Sequence, residues 1–404
     1  MAYVALPLSM LELGKPLPVD IWAPDGRLLL RKGQVIQSEH HKEMLSAHQA
    51  SMTESDARAW QRSYERMVRT MLRDGVDVDV IGRAALPSQI WEADYVVAKE
   101  VAGGWLDLQE VLRGLLYQGE AAISPLQRLE GIEHKALALL KNDADEALFI
   151  LFQALADEAL GYCATHALLA AVVCELTAEK LALPEAERRS LFRAALTMNI
   201  GMARDQDSLA RQTSIPNEAQ RQLIREHPQN GMAILQAIGV QDEDQLDIVR
   251  WHHEISDAHG LARNLASRRI LRMTDSFVAK MAARKTRLAM SPLGAAKSMF
   301  LGAEPHTANL GSAIAGAVGF YPPGTYVQLI NGEKAVAVAR GRLATHPQVV
   351  SIINPGGMPL SKYIFHDTTD PHCAIRAPLN AEKIKVRVSL EKVLKARQER
   401  AARA

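Results

Sequence analysis

From Leu106 to Ala303 the chain reads as almost uninterrupted helix, and this constrains the fold more than any other feature. Apolar residues recur at helical spacing at Leu137, Leu140, Leu148, Leu151 and Leu155, and again at Leu168, Leu169, Val172, Val173 and Leu176. Prolines punctuate the run at Ser124-Pro125, Leu183-Pro184, Ile215-Pro216, His227-Pro228 and Ser291-Pro292. Proline is tolerated in a first helical turn but not further in, so several of these pairs are expected to start helices. A mainly α fold follows. The 5% aromatic content agrees, since sheets favour aromatic and β-branched residues.

The flanks read as β. Two short apolar runs, Val19 to Trp22 and Leu28 to Leu30, are joined by Pro24-Asp25-Gly26, a hairpin signal, while Pro7, Pro16 and Pro18 argue against helix. Residues Ser38 to Arg73 are polar and helix-permissive, and Val76 to Gly104 show no firm period. Near Gly319 the composition turns again. Asn331-Gly332, a strong hairpin dipeptide, sits among β-rich runs, and the last sixteen residues read as a charged helix or tail. The expected organisation is a β-rich accessory segment (1–45), a helical or mixed linker region (46–120), a helical domain (121–318), a small C-terminal β-subdomain (319–390) and a charged tail (391–404).

Lys and Arg number 47 against 46 Asp and Glu. The net charge of +1 excludes protein-wide attraction to a nucleic-acid polymer or an anionic membrane. Cys163, Cys174 and Cys373 form neither a disulfide framework nor a C-x-x-C pair, which suits a reducing cytoplasm. The N-terminus lacks a basic start followed by a long apolar run, and no stretch approaches 18 apolar residues. A cytoplasmic protein without a leader or a membrane span is expected.

Within the helical region a few polar residues stand out. His166 lies on an apolar face with Leu169, Ala170 and Val173, and alone reads as a core histidine. His227 precedes Pro228 and reads as the start of a helix. His252 and His253 follow an apolar run. Adjacent helical side chains diverge by about 100°, so at most one of them need face a given site, but paired histidines hint at a metal. Asp275 has the apolar helix neighbours Leu271, Val278 and Ala279, and Arg268, Arg269 and Arg272 are candidate partners for it. Arg284, Lys285 and Arg287 form a basic cluster, either a solvated face or a phosphate-contacting edge. A bundle that gathers His and Asp from separate helices can hold metal. The P-loop, dinucleotide-fold, zincin and nucleophile-elbow patterns are absent.

The order of these segments resembles the HD-GYP family of HD-domain phosphohydrolases over roughly residues 125–345. His166 matches the histidine of the family's Y-x-x-x-H. His227, Pro228, Gly231, Ile234 and Leu235 match its HPxxGxxIL, and His252-His253-Glu254 its HHE. Arg269-Ile270-Leu271 followed by Asp275 matches its R-I-L…D helix, and Arg284 and Arg287 match a pair of arginines ahead of Ser291-Pro292. The segment from Gly319 to Glu333 resembles the element that follows the family domain.

The resemblance implies an HD-domain-like helical bundle, a two- or three-metal iron or manganese centre, and action on cyclic di-GMP. His166, His227, His252, His253 and Asp275 are the implied metal positions, with Arg284 and Arg287 toward ligand phosphates. Two further positions depart from the pattern. The family's LLHDIGK appears as Leu196-Thr197-Met198-Asn199-Ile200-Gly201-Met202, and the GYP loop as Gly260-Leu261-Ala262. Asn is neutral and cannot bridge two metals as a carboxylate does, and a thioether is a poor ligand for iron. A degenerate cyclic di-GMP signalling protein is therefore expected, with one divalent metal (iron or manganese) or none, acting as nucleotide receptor or as adaptor for a protein partner. The alternatives are an active metal-dependent phosphodiesterase with a reduced site, and an interaction scaffold that binds no ligand.

Overall fold

The N-terminal hairpin forms where the Pro-Asp-Gly turn predicts it. In a computed structural model, which describes residues 3–90, 103–157, 160–254, 256, 258–282, 290–291, 293–295, 298 and 305–401, Gly26 takes φ +80°, a conformation glycine adopts freely. The chain divides into two units, Met1–Lys99 with Ala121–Ser124, and Glu100–Glu120 with Pro125–Ala404.

In the first unit β1 (Tyr3–Ala5), β2 (Ile21–Trp22), β3 (Leu28–Leu30) and β4 (Ser51–Thr53) form an antiparallel sheet in the order β1-β4-β2-β3. Helices α1 (Glu39–Ala47), α2 (Glu54–Arg73) and α3 (Val78–Gly82) complete it. The helical reading of Ser38 to Arg73 is corrected at β4, whose three residues lack the flanking hairpin turn that marks β2 and β3. Thr53 ends that strand and caps α2, its Oγ1 accepting from the Asp56 amide at 3.1 Å. Leu17, Val19, Ile21, Ile36, Met52 and Trp60 form the core of this unit. Of the unplaced Val76–Gly104 stretch, residues 91–102 lie outside the described residues.

The second unit is mainly helical: α4 (Trp105–Gln118), α5 (Pro125–Asn142), α6 (Ala144–Leu155), α7 (Tyr162–Lys180), α8 (Glu185–Thr197), α9 (Ala203–Arg211), α10 (Glu218–Ala237), α11 (Glu243–Trp251), α12 (Leu265–Met281) and the Pro305–Val318 helix. Pro125 opens α5, Pro184 caps α8, and Pro216 precedes Asn217, the cap of α10. Pro228 does not start a helix. It lies inside α10, and this corrects the placement of His227 at a helix N-terminus. Pro292 and Ala303 fall outside the described residues.

Helix α7 is the axis of the bundle. It packs against α4, α6, α8, α9, α12 and the Pro305–Val318 helix, and every residue from Cys163 to Cys174 is buried. A helix apolar on all sides must be surrounded, and each buried Leu or Val contributes roughly 1.5–3 kcal/mol relative to exposure.

The chain then forms a five-stranded antiparallel sheet: β5 (Tyr326–Leu329), β6 (Lys334–Ala339), β7 (Gln348–Ile353), β8 (Pro359–Asp367) and β9 (Ile375–Leu379), in the order β8-β7-β6-β5-β9. The Asn331-Gly332 turn joins β5 to β6, with Gly332 at φ +89°. Val336, Val338, Val350 and Ile352 pack with Phe149 of α6 and with Val393 and Ala396 of the C-terminal helix Leu390–Ala401, while Val327, Leu329, Ala335, Ala337 and Val349 form a second cluster. The architecture is mainly α, with small antiparallel sheets near both ends. No helix among the described residues is long and apolar enough to cross a membrane.

Candidate metal centre

Helix α10 carries His227 through a proline, and the proline is what orients the ring. Residue 228 has no amide hydrogen, so the Ile224 carbonyl one turn back loses its helical donor. The His227 side chain takes that place, Nδ1–H donating to the Ile224 oxygen at 2.6 Å. Because a carbonyl only accepts, Nδ1 holds the proton and Nε2 carries the lone pair.

His252 reaches the same state by a different route. Helix α11 ends at Trp251 and leaves its last carbonyls without helical donors. His252 Nδ1–H donates to the Val249 oxygen at 2.7 Å. Its Nε2 then faces that of His227 at 3.3 Å, and both residues are 0% exposed. Burial and the neighbouring imidazoles, opposed by the carbonyl hydrogen bonds and by Asp275, lower the ring pKa values to about 4 for His227 and about 3 for His252. At neutral pH two lone pairs therefore face each other in a dry pocket. They cannot hydrogen-bond to each other, but they suit a shared cation.

His253 supplies the third nitrogen. One ligand atom from each of His227, His252 and His253 lies within 4.8 Å of the others, with His253 exposed. At most one of the adjacent histidines needed to face the site, yet both do, although His252, the C-cap of α11, keeps helical φ −63° and ψ −17°. Although the residue as a whole is exposed, desolvation of its ring, packed against His227 and His252, lowers the His253 pKa as well. Arg268 and Arg272 do not reach Asp275. Arg268 donates to the His259 oxygen at 2.6 Å and the Glu254 oxygen at 3.3 Å, and Arg272 donates to the His253 oxygen. The two arginines hold the loop that presents the histidines.

His166 and Asp275 pair with each other. His166 Nε2–H donates to Asp275 Oδ1 at 2.7 Å, and Tyr162 Oη, one turn earlier on α7, donates to His166 Nδ1 at 2.9 Å. Both ring nitrogens are thus engaged. Burial raises the Asp275 carboxyl, but the His166 hydrogen bond and the nearby imidazoles outweigh it and hold the group well below the usual range. Its side chain is 22% exposed, which leaves it partly open to solvent.

Met198 and Asn199 lie between α8 and the short turn Ile200–Met202. Both are buried, and the Asn199 side-chain nitrogen has no hydrogen-bond partner. The turn presses onto α10. A Cβ on Gly201 would sit 2.3 Å from the His227 oxygen and 2.7 Å from the Gly231 nitrogen, so the backbones touch where the HPxxG pattern places a second glycine. Donor chemistry divides the site. Three neutral imidazoles fit one divalent ion, whereas an amide and a thioether do not supply the bridging carboxylate a metal pair needs. Arg284 and Arg287 lie outside the described residues.

The sequence reading missed the carbonyls of Ile224 and Val249. Backbone acceptors carry no side-chain signature, though Pro228 marks the first. It also missed a cavity of about 410 Å³ beside α8, lined by Glu130, Glu133, Arg193, Thr197, Asp242 and Gln245. Buried Glu133 accepts from Arg189 at 3.0 Å and Arg193 at 2.7 Å. Three carboxylates against one arginine make the lining unfavourable for phosphate.

Residues 150–306 match the HD domain family. No curated protein matches the chain. Among solved structures the chain is similar to Bd1817, an HDG"Y"P protein from Bdellovibrio bacteriovorus, at 14% identity and a TM-score of 0.42, over 78% of this chain and 98% of that one. The matched stretch, residues 150–306, is the one that carries His166, His227, His252, His253 and Asp275.

Proposed function

We propose that this chain is a degenerate HD-GYP-type signalling protein. It holds one divalent ion, iron or manganese, on His227, His252 and His253, and it binds a cyclic di-nucleotide such as cyclic di-GMP without hydrolysing it through a metal pair. It acts as a nucleotide receptor or as an adaptor for a protein partner. The observation that carries this reading is the pair of buried Nε2 atoms 3.3 Å apart, each ring oriented by a backbone carbonyl, beside a position where Met198 and Asn199 stand. A bound divalent ion would supply positive charge toward a ligand phosphate. The protein's own part is to keep His227 and His252 neutral by burial and to keep Asp275 ionised against His166. Arg284 and Arg287 are assigned to the ligand phosphates.

Metal analysis of protein loaded with manganese or ferrous iron tests this, together with cyclic di-GMP titration and a hydrolysis assay. One ion per chain with binding and no turnover is expected, and the double variant M198H/N199D should raise the metal content. Two ions with steady turnover, abolished by Asp275→Ala, would make the chain an enzyme with substitute ligands. Neither metal nor nucleotide binding would leave an interaction scaffold.

A further inference from the structure

A second group of polar side chains lies on the C-terminal sheet. Cys373 ends the short turn Pro371–Cys373 between β8 and β9, His366 lies on β8, and Glu333 immediately precedes β6. Cys373 Sγ is 3.2 Å from His366 Nδ1, and His366 Nε2 is 3.0 Å from Glu333 Oε2. The proton positions follow from the acceptors. The carboxylate accepts a hydrogen bond from Nε2–H, so Nδ1 holds a lone pair and the thiol donates to it.

Glu333 is itself fixed. Ser351 Oγ, 0% exposed, donates to Oε2 at 2.6 Å, and Asn331 Nδ2 donates at 3.0 Å. These hydrogen bonds and the His366 ring overcome the effect of burial and keep the carboxyl below its ordinary range. Nucleophile, base and orienting carboxylate thus stand in sequence, the arrangement that activates a weak nucleophile. Cys373 is half-buried and reachable, whereas Cys163 and Cys174 are fully buried.

We propose that Cys373 is a reactive thiol with a built-in base, a site of mixed-disulfide formation with small disulfides. Burial and the carboxylates of Asp370 and Glu333 push the thiol above its ordinary pKa, so it is a thiol that must lose its proton during attack rather than a resting thiolate. His366 Nδ1 is placed to take that proton, and Glu333 stabilises the imidazolium that forms. The Cys373 sulfur bonds to one sulfur of the disulfide. The original S–S bond breaks, the other sulfur leaves as a thiolate with the electron pair, and the proton on His366 passes to that thiolate or, for an acidic leaving group, to solvent. One disulfide is exchanged for another, and the small disulfide is the only oxidant required.

The test treats the full-length protein with 5,5′-dithiobis(2-nitrobenzoate) under native conditions. It follows thiolate release by colour and locates the adduct by peptide mass spectrometry. The first-reacting cysteine should be Cys373, with the fast phase absent in Cys373→Ser. His366→Gln should slow it at least ~10-fold, at the low end of what a positioned base contributes, and Glu333→Gln should slow it less. Equal rates in wild type and His366→Gln, or first labelling elsewhere, would overturn the proposal. If circular dichroism shows His366→Gln unfolded, Glu333→Gln decides: an unchanged rate in the folded variant overturns the proposal, and a slower one supports it.

Discussion

The helical bundle and the C-terminal sheet use the same side chain in opposite ways. In the bundle, His227 and His252 give their Nδ1 protons to backbone carbonyls, which are neutral acceptors, and burial holds both rings uncharged. In the sheet, His366 gives its Nε2 proton to a carboxylate, and its free nitrogen faces a thiol. A carbonyl partner fixes the tautomer without inviting a second proton, which suits a metal ligand. A carboxylate partner stabilises the imidazolium, which suits a base. The acceptor on the far nitrogen separates the two roles, and the fold supplies that acceptor.

The largest expected effect tests the bundle half of this comparison. His252→Ala removes one of the two buried ligand atoms, and manganese affinity measured by isothermal titration should fall by more than ~100-fold, beyond what loss of an orienting partner costs. Unchanged affinity would remove the buried pair from any metal site.

Pro228→Ala is a subtler probe. It restores an amide hydrogen that competes for the Ile224 carbonyl and so releases the His227 ring. Metal affinity should fall by roughly 10–100-fold, while the melting temperature of the metal-free protein should rise, since proline costs up to about 3 kcal/mol in a helix interior. A fall in both would mean that the proline serves only packing.

The smallest effect is on stability against pH. Unfolded histidine rings begin to protonate near pH 6.5, but folded His252 and His227 stay neutral until about pH 3 and about pH 4. Between these limits the unfolded state binds more protons. Stability of the metal-free protein is therefore full above pH 6.5 and declines as pH falls toward 4, by about 1.4 kcal/mol per unit for each ring that remains neutral. Denaturant midpoints across this range should show the slope in wild type and a shallower one in His252→Ala. Equal slopes would place the acid sensitivity elsewhere.

Much of the fold was legible in the chain. Helical spacing marked the bundle, Pro125 marked the start of α5, and Asn331-Gly332 marked the sheet's first hairpin, because each signal is local. Strand β4 was not legible, since its three residues, Ser51–Thr53, lack the flanking hairpin turn that marked β2 and β3. Pro228 misled for a different reason. Proline ends helices by default, and only the placement of His227 under the freed Ile224 carbonyl makes an interior proline affordable. The candidate site was legible as residue types and only partly as geometry. His227, His252 and His253 converge, whereas His166 is held between Tyr162 and Asp275.

By itself the sequence determined the helical class, the two flanking β regions, the histidines of the bundle and the presence of Met198 and Asn199. These follow from periodicity, turn chemistry and residue identity, all of which are read within a few positions of the chain. Tertiary structure alone decided which nitrogen of each histidine is free and what it faces. That depends on partners brought together from distant positions, such as Asp275 against His166, His252 against His227, and Cys373 and Glu333 on either side of His366. An imidazole is ligand, structural link or base according to its two hydrogen-bond partners, and packing chooses those partners.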